Sequence, residues 1–194
     1  MDGNSVTHSI VDSTESVVHL IYTIQTLPSN LKSLFLDLEG VSLSRHGSIS
    51  LMTIFIPSKK HVYLVDVHAL QSSAFSTATD DGTTLKTILE SPTITKVFFD
   101  KAVKEAGLKL YHPKKGGSYE VFNIRPLPTP IKAYCINDVQ YLPQLRERFW
   151  QSLNGDWREK VRVETRKRVS ESQSKSYDPQ SDKKKYSPWE KLYV

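Results

Sequence analysis

Two carboxylates, Asp37 and Glu39, close the apolar run Leu34-Phe35-Leu36 and are followed by Gly40. In an extended chain, residues two apart leave the same face, so this pair would stand side by side at the end of a strand. Carboxylates that close repel, unless a cation lies between them, and an all-oxygen donor set suits a hard divalent ion. Far along the chain, Tyr134 and Asp138 are four apart in a segment with helical spacing, so they leave one face a turn apart. A third carboxylate and a phenol are what a two-metal phosphodiester displacement needs. The acids would hold divalent cations, and the phenol would orient the attacking water. Taken singly, each spacing also describes a solvated strand exit or helix surface.

The elements that must position these residues can be read from periodicity. A helix from Asp12 or Ser13 carries Val17, Leu20, Ile21 and Ile24 on one face and stops at Pro28. Strands are expected over 32–38, 48–56 and 61–67, with turns between them short enough for an antiparallel meander; the middle strand is apolar on both faces. A capped helix with Leu85, Ile88 and Leu89 then leads to a fourth strand over 95–99, parallel to the first because the crossover is long. Residues 101–110 read as helical, and 125–130, with three prolines, as a non-helical connection. Thr129 is expected to cap a helix with Pro130 at its first position, carrying Ile131, Cys135, Asp138, Leu142 and Leu145 and kinked at Pro143. A last helix spans 156–174. The order implies an α/β layer structure around a mixed sheet.

Composition narrows the function classes. The 194 residues give room for one domain and a tail. No stretch is apolar over the length of a membrane span, and the amino terminus lacks the pattern of a secretory signal. A single cysteine, Cys135, excludes an internal disulfide, and a reducing compartment, cytoplasmic or nuclear, is expected. The formal charge of +5 is uneven: residues 156–194 hold 11 Lys and Arg against 7 Asp and Glu. A basic end of this kind suits a polyanion such as nucleic acid. Arg166, Lys167 and Arg168 would either meet a phosphate backbone or only solvate a helix face, and Arg45 and His46, which follow the first acidic pair, would meet a phosphate, a terminal ribose or only water. The six histidines show no spacing suited to zinc. Oligomeric state is not legible.

The segments Leu36-Asp37-Leu38-Glu39-Gly40 and Tyr134-Cys135-Ile136-Asn137-Asp138-Val139, the latter preceded by Arg125-Pro126-Leu127, resemble the DEDD superfamily of 3'-5' exonucleases, in the tyrosine-bearing subgroup that includes ribonuclease D. Ser48-Ile49-Ser50-Leu51, residues 62–67 and residues 96–100 are similar to it too, and Gly116-Gly117-Ser118-Tyr119-Glu120-Val121-Phe122-Asn123 looks like a subset found in fungal and plant proteins. The resemblance covers roughly residues 10–170. It implies a ribonuclease H-like mixed sheet flanked by helices. It also implies metal ligands Asp37, Glu39 and Asp138, catalytic Tyr134, a nucleic-acid contact at Arg125, and a substrate with a free 3' end. The chain departs from the family in one place. Members carry a fourth acid after the fourth strand, then a helix, a fifth strand and more helices, whereas here Phe98-Phe99-Asp100 runs straight into Lys101-Ala102-Val103-Lys104. Lys104 stands where the acid aligns, and Asp100 is the nearest carboxylate to replace it. The layout expected is a disordered 1–9, an exonuclease-like domain over 10–174 shortened near 100/101, and a basic disordered tail over 175–194. With the fifth strand and a covering helix missing, and a ligand lost, two roles stay open. One is a weak exonuclease; the other is an inactive module that binds nucleic acid or protein.

Overall fold

The computed structural model describes residues 6–98, 108–178, 181 and 189. Two compact units divide the chain at Glu147/Arg148. The first is built on a five-stranded sheet in the order β1-β4-β3-β2-β5. Strands β2 (Ser33–Val41), β3 (Ser48–Ile56) and β4 (His61–Val65) form the expected antiparallel meander. Strand β5 (Thr95–Phe98) lies parallel to β2, as the long crossover requires.

The fifth strand of this sheet begins within residues 1–9, the stretch expected to be disordered. Residues Thr7–Val11 form β1, which pairs in parallel with β4 from Thr7↔His61 to Val11↔Val65. Its sequence is too short and polar to announce a strand. What holds it is tertiary: the Thr7 and Ser9 hydroxyls lie 2.7 and 2.9 Å from the two ring nitrogens of His61, and Val11 is buried. On the opposite side of the sheet, β5 is the last strand among the described residues. Residues 99–107, including Asp100 and Lys104, lie outside the described residues, as do 1–5.

Helix α1 (Thr14–Gln25) is opened by a reciprocal Ser13–Ser16 capping box and buries Val17, Leu20, Ile21 and Ile24. These pack with Leu34, Leu36, Met52, Ile54 and Ile56 on one face of the sheet. The short helices α2 (Val67–Leu70), α3 (Ser73–Ser76) and α4 (Leu85–Glu90) follow on the way to β5. The third strand ends at Val65 rather than 67 because Asp66 turns to cap α2, its Oδ1 accepting from the Ala69 amide at 2.8 Å.

Beyond α5 (Leu108–Tyr111), a 3-10 turn over Tyr119–Asn123 leads to α6 (Thr129–Gln140). The N-cap of α6 is Pro128, so Thr129 is the first helical residue and makes no cap hydrogen bond, in contrast to the sequence expectation. Pro143 does not merely kink the helix: α6 ends at Gln140, capped by Tyr141, and α7 (Leu142–Ser152) begins afresh. The buried side of α6 joins Phe35, Leu51, Phe55, Val62 and Leu64 in a second core cluster on the other sheet face.

The second unit contains α8 (Gly155–Ser172), opened by Asn154, whose Oδ1 accepts from the Trp157 amide at 2.9 Å. No residue of α8 is buried. Its charges pair along the helix: Glu159 with Arg162 and Arg166, Glu164 with Arg168, Glu171 with Lys167. Arg158 and Arg162 lie over the Trp150 ring, and Trp189, within the expected tail, meets Trp157 edge-on at 5.4 Å. Among the described residues, no helix is long and apolar enough to cross a membrane.

Candidate metal centre

Alternation along β2 decides what reaches the site. Leu34 and Leu36 enter the core under α1, whereas Phe35 enters the core under α6. By the same two-residue period, Asp37 and Glu39 follow Phe35 onto the α6 face. The strand does not stop at Gly40 but runs to Val41, with a register shift between Glu39 and Gly40. Gly40 is required there by close approach: a Cβ would lie 2.0 Å from the Ser48 carbonyl oxygen. The bulge keeps Glu39 turned inward, 5% exposed.

Helix α6 supplies the other half. Ile131, Tyr134, Cys135 and Val139 are its buried positions, and Asp138 shares their face one turn after Tyr134. Asp37, Glu39 and Asp138 each place a carboxylate oxygen within 4.8 Å of the other two. Carboxylates at that spacing disfavour one another's charge, a cost that a divalent cation would reverse. The donor set is all oxygen and half-buried, which fits Mg2+ or Mn2+ rather than zinc. Cys135 lies close by, but burial first, then Glu39, Asp37 and Asp138, push its thiol well above the usual range, so it stays a neutral core residue.

Tyr134 is 7% exposed, and its phenol is raised far above the usual range. Burial is the main cause, followed by the Glu39 charge and hydrogen bonds with Asp138 and Tyr111. The phenol therefore keeps its proton, with Asp138 and Tyr111 as its hydrogen-bonding neighbours.

The remaining sequence candidates do not gather at the carboxylates in one way. Arg45 and His46 are exposed in the loop between β2 and β3, just beyond the bulge. Arg125, expected to meet nucleic acid, is engaged inside the protein. Its guanidinium pairs with both oxygens of Asp66 and also donates to the carbonyls of Phe122 and Ile124 at 2.8 and 2.7 Å. This clamp ties the start of α2 to the turn before α6. Arg166, Lys167 and Arg168 belong to the second unit and are exposed and paired with Glu159, Glu171 and Glu164 respectively.

Sequence reasoning gave no role to three other residues near this face. Asp66 holds Arg125. Ser50 is buried and its Oγ lies 2.5 Å from Asn123 Oδ1, while Asn123 donates to Glu120 at 2.9 Å. Tyr111 stands against Tyr134 with ring centroids 5.3 Å apart. The glycine pair and aromatics of 116–123 were the available signal, but a spacing cannot show what such a turn packs on.

No protein-family model and no curated protein matches the chain. Solved structures do. RNase D from Trypanosoma brucei superposes with a TM-score of 0.57 at 20% identity, covering 74% of this chain and 64% of that one. The same enzyme in complex with RNA U12 gives 0.55 at 19% identity, with coverage of 79% and 65%. The catalytic core of RRP6 from Trypanosoma brucei gives 0.50 at 16% identity, with coverage of 76% and 47%. The chain therefore has an RNase D-like exonuclease fold and spans less than two thirds of the length of these structures.

Proposed function

We propose that this chain carries a divalent-metal-dependent site for the 3' end of a nucleic acid, and that its reaction is slow 3'-5' exonucleolytic hydrolysis of a phosphodiester bond. The observation that carries the reading is the convergence of Asp37, Glu39 and Asp138, from a strand end and a helix face, beside the phenol of Tyr134. RNA is the substrate favoured, by analogy with the RNase D held on RNA U12.

Asp37, Glu39 and Asp138 would hold Mg2+ or Mn2+. A bound ion of this kind neutralises charge on the scissile phosphate and lowers the cost of generating hydroxide. Tyr134 keeps its proton, and with its single O–H turned to Tyr111 or Asp138 its oxygen would orient the attacking water by accepting a hydrogen bond rather than by deprotonating it. The Gly40 bulge and the α6 core face hold the carboxylates in place.

A second reading, binding without turnover, is favoured by one sequence feature: Lys104 stands where the resembled family carries its fourth acid. With three carboxylates, a second ion would be held weakly. One experiment separates the two. A 5'-labelled RNA oligonucleotide incubated with the full chain and Mn2+ should shorten stepwise from its 3' end, and Asp37→Asn should abolish the ladder. Retention of the oligonucleotide without shortening, in a Mn2+-dependent shift lost in Asp37→Asn, would establish the binding module instead.

A further inference from the structure

The Gly116–Phe122 stretch has no part in holding a metal, yet it is built with some care around Tyr111. Gly117 packs so closely on the preceding helix that a Cβ there would lie 2.6 Å from the Tyr111 amide nitrogen and 2.7 Å from the Leu110 carbonyl. The Tyr111 ring is then enclosed by Tyr119 at 5.8 Å, Phe122 at 5.4 Å and Tyr134 at 5.3 Å between centroids. Tilted rings at these separations attract one another, and both Tyr111 and Tyr134 are buried, at 6% and 7% exposure. The packing carries the two hydroxyls toward each other, with the Tyr134 hydroxyl directed as donor at Tyr111 Oη 3.4 Å away. That distance is long for a hydrogen bond, so the rings and not the bond set the approach. Catalytic contacts are commonly long before substrate binds.

We infer that Tyr111 is a positioning residue for Tyr134: its hydroxyl occupies one hydrogen-bonding direction of the Tyr134 phenol and leaves the other for the side of Asp138 and the attacking water. The inference rests on the metal-site reading above for its catalytic consequence, though not for the contact itself. Gly117, Tyr119 and Phe122 serve the same end by seating Tyr111. The glycine-aromatic motif thus acts on the carboxylate site through one phenol.

The test uses the full chain labelled with 3-fluorotyrosine, the Tyr134 19F signal being identified by its loss in Tyr134→Phe. Tyr111→Phe removes one hydroxyl and keeps the ring, so the melting temperature should hold while the Tyr134 signal shifts. Tyr119→Phe, whose hydroxyl is not in the pair, should leave that signal in place. In oligonucleotide cleavage, Tyr111→Phe should lower kcat about tenfold with KM unchanged, as expected for a misdirected phenol, and should cost nothing further in a Tyr134→Phe background. A Tyr134 signal unmoved by Tyr111→Phe, or losses that multiply in the double variant, would overturn the inference. Absence of both cleavage and Mn2+ broadening of the Tyr134 signal in the unsubstituted chain would instead sink the metal-site reading, and the 19F shift would still decide whether Tyr111 sets the phenol.

Discussion

The α6 face of the sheet unit and helix α8 both carry charged side chains and use them in opposite ways. On the α6 face, the groups come from distant parts of the chain. Asp37 and Glu39 meet Asp138 about a hundred residues later in sequence, and Asp66 meets Arg125 fifty-nine residues on. These groups are partly or wholly buried, so each interaction is strong and each mismatch costly. On α8 the partners are three, four or seven residues apart, and every basic member of the pairs is at least half exposed. Water and salt screen such pairs, and they contribute little. The same residue types therefore define a site in one unit and a solvated helix in the other.

The sharpest break of this comparison is at the Asp66–Arg125 clamp. Arg125→Ala leaves the Asp66 carboxylate, 3% exposed, buried without its partner. The expected loss is about 3–5 kcal/mol of unfolding free energy, read from urea denaturation. A loss under about 1 kcal/mol would mean that the clamp behaves like the α8 pairs.

Next in size is the carboxylate cluster, where stability and metal binding should move in opposite directions. Asp138→Asn removes one of three mutually repelling charges, so the metal-free protein should gain about 1–2 kcal/mol. The same change should weaken Mn2+ binding by tenfold or more and remove the rise in melting temperature that the ion gives the unsubstituted chain. Equal melting shifts with Mn2+ in both proteins would show that the ion binds elsewhere.

A smaller effect is expected at the β1–β4 pairing. Burial lowers the His61 pKa, with His8 and His19 adding repulsion of the charged form. A base whose folded pKa lies below its unfolded value near 6.5 binds fewer protons when folded, so its stabilising contribution is complete above about pH 6.5 and is lost as pH falls below that toward the folded pKa. Unfolding followed from pH 7.5 to 5 should show this decline in the unsubstituted chain and a flatter profile in His61→Gln. Parallel profiles would remove His61 from the account.

The smallest effects belong to α8. Glu159→Ala breaks two exposed pairs, with Arg162 and Arg166, and should leave the unfolding midpoint unchanged within error. The triple change Arg166→Ala/Lys167→Ala/Arg168→Ala should likewise spare folding. If these side chains touch a phosphate backbone, it should lower the salt slope of oligonucleotide affinity by about 3. A slope unchanged by the triple substitution would leave α8 as a solvated helix only.

Much of the sheet unit was legible in the residues. The period of two in 32–38 and 48–56, and the helical spacing of Val17 to Ile24, led to the right elements because each is a local pattern matched to one buried face. The shared directions of Asp37 with Glu39 and of Tyr134 with Asp138 were legible for the same reason: i and i+2 on a strand, and i and i+4 on a helix, leave one face whatever the rest of the chain does. Proline placement was read less well. Pro130 did mark the start of α6, but the cap fell on Pro128, since Thr129 is already helical.

What only the tertiary structure decided are the pairings that sequence distance hides. Thr7–Val11 is a strand because His61 and Val65 stand beside it, not because five residues with two polar hydroxyls prefer to be extended. Arg125 is a clamp because the turn before α6 carries it to Asp66, and Tyr111 lies against Tyr134 because Gly117 lets two backbones touch. Local pattern determines which way a side chain leaves its own element. The partner that it meets depends on the packing of elements far apart in the chain, where burial multiplies the strength of whichever contact results.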